Sequence, residues 1–391
     1  MDGLREQLAQ YKNVWIYGTS KIGRKLFQAF SILRLPCRGI VTSHNEGIVF
    51  PGIDIRSLAE VDSDRENTLF IVAVSEKYQK EIVESLSIYG YEHVLIWDKI
   101  YTKELWRLAD YHFVDRRQGK KKCCFLLAGY KKFLWEDVFG RLVRFLPEDV
   151  EVCILSSGLY SGDLEERAAE HGWSYLSTDW NSVTLIQNIA YALFDYVDWI
   201  YKMDEDIFLT ENTFEKLYTG FLRSEKEQLY HVGIVAPLIP LNGYGYTYIL
   251  REQGLYKVYE DIFGKIYAGG NPESEIESNP EAAVFMWDRC IRIDDLNRIF
   301  EQKDEWKPCS VRFSIGFILM RRGFWSDMGG FFVSGGSDIG MDEEEICAIC
   351  MNRSQAMIVC HNAVVGHFSF GKQTRRMQEY YINQKERFAV V

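Results

Sequence analysis
The chain alternates short apolar runs with segments of helical periodicity, stops at one basic polar stretch, and then begins the alternation again. NVWIYG (13–18) is an apolar run closed by glycine, and SKIGRKLFQAFSIL behind it repeats apolar residues at Ile22, Leu26, Phe27 and Phe30, the period of a helix. Further strands are predicted over 38–41, 68–74 and 93–97, with a helix over 76–89. DRRQGKKK (115–122) breaks the pattern. Beyond it come a strand at CCFLLAG, a helix over 135–145, a strand at VEVCILSS, a helix over 162–171, a short strand over 173–176, a helix over 183–194 and a strand at WIYKMDEDIFL. Strands that alternate with helices need crossovers, and crossovers give parallel sheets.

The expected fold class is therefore α/β in two parts. Residues 1–118 form a small Rossmann-like parallel-sheet domain, and residues 119–391 a second, larger domain. Past residue 220 the pattern loosens, and NGYGYTYI and AGGNPESEIESNPE read as loops around a site. With 391 residues, 47% of them hydrophobic, the chain can bury a core in each part. Its 45 basic and 56 acidic residues leave a net charge of −11, which argues against a nucleic-acid partner or a lipid surface bound by bulk electrostatics. No apolar run approaches the roughly 18 residues of a membrane span, and the N-terminal residues lack a signal-peptide apolar region. The expected location is cytoplasmic. The nine cysteines, most inside apolar runs, are expected to be reduced core residues.

GTSKIG supplies Gly18 and Gly23 at the outer positions of a dinucleotide fingerprint, with Ser20 where the middle glycine would stand. Two readings follow: a phosphate at a helix N-terminus, or two glycines required by the turn and by helix packing alone. The domain resembles the N-terminal Rossmann-like domains of bacterial sugar-modifying proteins such as sugar O-acyltransferases.

The strand WIYKMDEDIFL enters apolar and leaves through Asp204, Glu205 and Asp206. Alternate side chains of a strand share a face, so Asp204 and Asp206 point one way and Glu205 the other. Two carboxylates at the carboxyl edge of a parallel sheet suit a hard divalent cation that takes further ligands from water and phosphate. The plainer reading is an acidic cap before the next helix.

An opening strand, two βα units and a strand ending in Asp-x-Asp resemble, over 122 to about 372, the GT-A nucleotide-sugar glycosyltransferases of the family-2 type. The resemblance implies that Asp204 and Asp206 carry Mn2+ or Mg2+ against a donor diphosphate. It also implies donor contacts from AGYKKF (128–133) and from DWNSVTLIQN (179–188), where Asp179, Asn181 and Asn188 are the candidates, along with Asp204 and Lys372. Asn181 serves equally as a helix cap.

MDEEEICAIC places Asp342, Glu343, Glu344 and Glu345 ahead of a helical apolar pattern, where acids complement the helix dipole. The resemblance sharpens this. After a glycine-rich segment like GFWSDMGGF (323–331), an acidic pair at a helix start supplies the general base, which assigns that role to Asp342 or Glu343. The order here is Asp-Glu where Glu-Asp is usual. His367 follows on an apolar run, and by resemblance would close the metal site, with Lys372, Arg375 and Arg376 meeting diphosphate from a flexible tail. Tyrosines of GYGYTYI and Trp287 are either cleft or core.

These likenesses imply a metal-dependent, inverting glycosyltransferase. Its donor would be a nucleoside-diphosphate sugar, and its acceptor a bacterial surface glycan or lipid-linked saccharide met at a membrane face without spanning it. The alternatives are a nucleotide-sugar sensor without turnover and a sugar-phosphate nucleotidyltransferase.

Overall fold
The structure is a computed structural model and describes residues 3–43, 47, 52–269, 273–290, 292–312, 315–333 and 340–390. The chain divides into two compact units. The first comprises Met1–Asp110, Thr184–Asp195 and Trp325–Asp338, and the second Tyr111–Val183, Tyr196–Phe324 and Ile339–Val391.

The first unit is built on β1 (Asn13–Tyr17), β2 (Gly39–Thr42), β3 (Ile55–Ser57), β4 (Thr68–Val72) and β5 (Val94–Ile96), in the order β3-β2-β1-β4-β5. Every pair in it is parallel. β1 and β4 are buried along their whole length, as strands covered on both faces must be, so their sequences run apolar rather than alternating. Trp15, Tyr17, Phe70, Val72 and Leu86 meet in the core beside the helix Glu76–Ile88.

Both glycines of GTSKIG answer to the backbone. Gly18 leaves β1 at φ +125°, a region favouring glycine, and a Cβ on Gly23 would lie 1.9 Å from the Gly18 carbonyl oxygen. The helix Lys21–Ile32 can turn back onto the sheet because that Cβ is missing.

The second unit continues with β6 (His112–Val114), β7 (Lys122–Leu127), β8 (Val150–Ser157), β9 (Ser174–Thr178), β10 (Trp199–Asp204), β11 (Ile207–Phe208), β12 (Val232–Leu238), β13 (Trp306–Pro308), β14 (Phe317–Arg321), β15 (Ala356–Val364) and β16 (Gly366–His367). Nine of these form one sheet in the order β13-β15-β12-β14-β10-β7-β8-β9-β6. β10, β7, β8 and β9 run parallel. β14 enters antiparallel between β10 and β12, so the sheet is mixed. The chain adds β8 on one side of β7 and β10 on the other, which opens a crevice at the carboxyl ends of β7 and β10. β11 and β16 pair as a separate ladder beyond β10.

Three loop expectations give way. Within NGYGYTYI, Gly245–Glu252 is a helix: Asn242 Oδ1 accepts from the Tyr244 and Gly245 N–H groups, and a Cβ on Gly245 would strike the Ile239 carbonyl oxygen at 2.3 Å. Part of AGGNPESEIESNPE lies outside the described residues (270–272), and the rest holds the short helix Glu275–Ser278 and the start of Pro280–Arg289. Asn279 caps the latter by accepting from the Glu281 N–H, with Pro280 at the first position, where its missing donor costs nothing. The expected flexible tail is the helix Thr374–Asn383, and Arg376 pairs with Glu281 at 2.8 Å.

Two glycine substitutions should move stability in opposite directions. Gly23→Ala forces backbone apart and should cost about 1–3 kcal/mol. Gly140→Ala, exposed in the helix Trp135–Phe145 with open space at the Cβ position, should gain about 0.5–1 kcal/mol. Urea unfolding of the two variants measures both.

Candidate active site
Each of the three acids that end β10 has its own solution. β10 is paired residue for residue with β7 as far as Asp204 and Leu127, so the acids emerge beside the segment that follows β7. Glu205, 7% exposed, turns to that segment and accepts from the Gly129 N–H (2.9 Å), the Tyr130 N–H (2.8 Å) and Trp135 Nε1 (2.7 Å). It is a clamp on the loop rather than part of the cavity's chemistry, although the cavity touches it.

Asp204, the last residue of β10, shares its face with Lys202, and Asp206 lies in the turn that follows. The Lys202 ammonium is buried. It lies 2.7 Å from Asp204 Oδ1, donates to the Ile315 carbonyl at 3.2 Å and stands 3.8 Å from Asp342 Oδ2. Burial pushes the Asp204 carboxyl above its ordinary range, Lys202 opposes this, and the charge of Asp206 adds to it. Asp206 is held below that range. Burial alone would raise it, but the Lys131 ammonium and His367 beside it outweigh burial.

His367 arrives through the β11–β16 ladder, where Ile207 pairs with His367, and through Trp287, whose Nε1 donates to the His367 carbonyl at 3.2 Å. Its Nδ1 donates to the Leu241 carbonyl at 3.3 Å, leaving Nε2 3.4 Å from Asp206 Oδ2. A backbone partner on one ring nitrogen fixes the tautomer and presents the other to a proton or a metal.

The acidic helix is Met341–Asn352, and residues 334–339 ahead of it lie outside the described residues. Asp342 is buried, and its Oδ1 accepts from the Glu343 N–H at 3.0 Å. Glu343 Oε1 accepts from Arg312 Nε at 2.7 Å, while the same guanidinium reaches Glu344 at 2.9 Å. Burial raises the Glu343 carboxyl, Arg312 pulls it down, Asp342 adds a further rise, and the net direction is upward.

A cavity of about 540 Å³ brings Asp204, Asp206, Asp342, Glu343, His367 and Lys372 together. Asp179, Asn181 and Asn188 are not among its lining residues. Asp179 is exposed, and Asn181 accepts from the Ser157 hydroxyl at 3.4 Å at the cavity's edge. Asn188 belongs to the first unit and is fully buried there, so the expected sugar contact is corrected. Its Oδ1 accepts from Trp325 Nε1 and the Phe331 N–H, both at 2.8 Å, and its Nδ2 donates to the Phe331 carbonyl at 3.0 Å. Trp287 is core, packed on Phe208 and Phe388.

The cavity also holds charged groups that the sequence reading did not single out: Lys131, Lys202, Arg312 and the buried Glu277, which accepts from the Gly243 N–H at 3.0 Å. Lys202 was findable, because a lysine two residues before Asp204 shares its face in any strand. Nothing in CSVRF marked Arg312.

Among the described residues, no three His, Cys, Asp or Glu groups converge as a ready metal cage. A small hard cation needs none, since it binds through one or two carboxylates and keeps waters for exchange with phosphate. What the wall offers such an ion is a carboxylate and an imidazole nitrogen side by side, Asp206 Oδ2 and His367 Nε2 at 3.4 Å, with Asp204 lining the same cavity.

No protein-family model matches the chain, and no curated protein sequence does. Solved structures do resemble it. A mannosyltransferase from Pyrobaculum calidifontis, in complex with GDP-Man and Mn2+, is 12% identical at a TM-score of 0.36, over 73% of this chain and 67% of that one. Glucosyl-3-phosphoglycerate synthase from Mycobacterium tuberculosis, with Mn2+, UDP and phosphoglyceric acid, is 14% identical at 0.36, over 71% and 81%. These neighbours are GT-A-type nucleotide-sugar glycosyltransferases. A CMP:2-keto-3-deoxy-manno-octonic acid synthetase with CTP is 11% identical at 0.34, over 68% and 99%. At 11 to 14% identity these likenesses are distant, and the chemistry is read from this chain's own residues.

Glu205→Gln tests the clamp. A glutamine offers one acceptor oxygen and an NH2 group to three N–H donors, leaving at least one of them without a partner. Unfolding free energy should fall by about 1–3 kcal/mol, measured in urea.

Proposed function
We propose that the second unit transfers a sugar from a nucleoside-diphosphate donor to a hydroxyl acceptor, by a single inverting displacement, with the first unit as an accessory domain. The observation that carries this reading is one cavity lined by a paired-carboxylate strand end, an imidazole and a second carboxylate pair at a helix start. The two sets divide the work that transfer to a hydroxyl demands: one supports a leaving diphosphate, the other takes a proton.

Asp204, Asp206 and His367 would hold Mn2+ or Mg2+, which when bound neutralises charge on the departing diphosphate. Lys372, at the 3₁₀ turn Gly371–Gln373 on the cavity rim, adds a point charge for the same phosphates. The base comes from Asp342 or Glu343. Glu343 is the stronger candidate because burial lifts its carboxyl toward the pH of use, while Arg312 fixes its orientation. The acceptor we favour is a surface glycan or lipid-linked saccharide, reached in the cytoplasm or at the inner membrane face. No helix among the described residues is long and apolar enough to cross a membrane.

Donor turnover with Mn2+ tests the reading. Asp204→Asn and Asp206→Asn should each lower it by about 10²-fold or more without loss of the thermal transition. Binding of nucleotide sugar with no turnover in the wild type would make the chain a sensor, and pyrophosphate release from a nucleoside triphosphate and sugar phosphate would make it a nucleotidyltransferase.

The pH profile assigns the base. A base works only when deprotonated, so a raised carboxyl places the acid limb of kcat/KM above the ordinary glutamate value of about 4.3, with activity lost as pH falls through it. Glu343→Gln should remove that limb with most of the activity. Asp342→Asn should move the limb to lower pH, since the Asp342 charge helps to raise Glu343. Activity and limb both surviving in Glu343→Gln would pass the role to Asp342.

A further inference from the structure
The carboxylates of the strand end are already partnered by cations of the chain itself, and the two partners are held very differently. Lys202 sits inside the sheet with its side chain 4% exposed, and its ammonium is shared among Asp204, Asp342 and the Ile315 carbonyl. To leave, it would have to break up a strand and abandon three oxygens. Lys131 lies on the segment between β7 and the turn Lys132–Leu134, its side chain is 24% exposed, and its ammonium donates to Asp206 Oδ2. Its way out leads through the cavity that it lines. The same Asp206 oxygen faces His367 Nε2 at 3.4 Å, so lysine and histidine both meet the one carboxylate oxygen on which a shared ion would depend.

We infer that the acid pair carries two resident counter-ions of unequal permanence: Lys202 is fixed, whereas Lys131 occupies the divalent-cation position on Asp206 and is displaced when a cation binds. An ammonium and a divalent cation cannot both contact one carboxylate oxygen at low cost, because their mutual repulsion in a shielded cavity is strong. The lysine keeps a buried carboxylate from standing uncompensated before the cation arrives. Cation affinity is thereby set low in the empty site. This deepens the reading above and rests on it only for the presence of a divalent cation.

The test uses the full chain and Mn2+ alone, with free Mn2+ followed by electron paramagnetic resonance and no donor present. Lys131→Met should bind Mn2+ about tenfold tighter or more than the wild type. Lys131→Arg, which keeps the charge, should bind as the wild type does, and Asp206→Asn more weakly than either. Thermal melts check that each variant is folded, and Lys131→Gln replaces the methionine variant should that one fail to fold. Mn2+ binding no tighter in the uncharged variant than in the wild type, including no binding by either, would overturn the inference. Because donor turnover is scored separately, a chain that transfers sugar without a metal fails here and still passes there.

Discussion
The cost of leaving charge at the end of a buried strand organises this molecule's second unit. Asp204, Glu205 and Asp206 follow five buried residues of β10, and a carboxylate there must be paired, hydrogen-bonded or lost to protonation. Glu205 is satisfied by N–H donors, Asp204 by a lysine from its own strand, and Asp206 by a lysine and a histidine from other segments. Each solution recruits a piece of chain to the site. Glu205 fixes the loop after β7, which holds Lys131 near Asp206, and the β11–β16 ladder delivers His367. The acids are thus the reason that the surrounding segments have a defined position, as well as the chemistry they serve.

The sequence disclosed those parts that depend on local rules. Periodicity found β7, β8 and the helix Trp135–Phe145 with nearly their observed limits, whereas the strand expected over 199–209 ends at Asp204, and Glu205 and Asp206 form the turn ahead of β11. Asp342, Glu343 and His367, which line one cavity with the strand end, were singled out by family likeness, not by any local signal. What stayed hidden depends on partners distant in sequence. The antiparallel entry of β14 is a pairing choice made by residues 317–321 with β10 and β12, and no local pattern announces it. Asn188 misled for the same reason. A polar residue in an apolar helix can face a ligand or a buried indole, and only Trp325, some 137 residues later, decides between them.

Helices in place of loops past residue 240 reflect capping chemistry that overrides composition. Glycine, asparagine and proline are loop formers on average, yet Asn242 and Asn279 each end a loop by satisfying free N–H groups of a helix. Their role is positional. The helix Pro280–Arg289 in turn carries Trp287 to the His367 carbonyl, so a cap at Asn279 is one of the determinants of where the imidazole stands.

The same dependence explains why an antiparallel strand is needed beside the acids. Running against β10, β14 begins where β10 ends, so the residues before it, Ile315 and Gly316, lie against the acidic turn. The Gly316 carbonyl accepts the Asp204 N–H at 2.9 Å, and the Ile315 carbonyl accepts from Lys202. A Cβ on Gly316 would fall 2.9 Å from Ile207 Cδ1, the mobile end of its side chain, and 3.6 Å from Asp204 Oδ2, an ordinary contact, so this backbone is packed directly against the acidic turn. A parallel strand in that place would present its carboxyl end here and send its own connection away over the sheet. Antiparallel entry instead supplies two backbone carbonyls, one as a further acceptor for the buried Lys202 ammonium and one for the strand-end N–H of Asp204, and so keeps Asp204 aimed into the cavity with one oxygen engaged by Lys202.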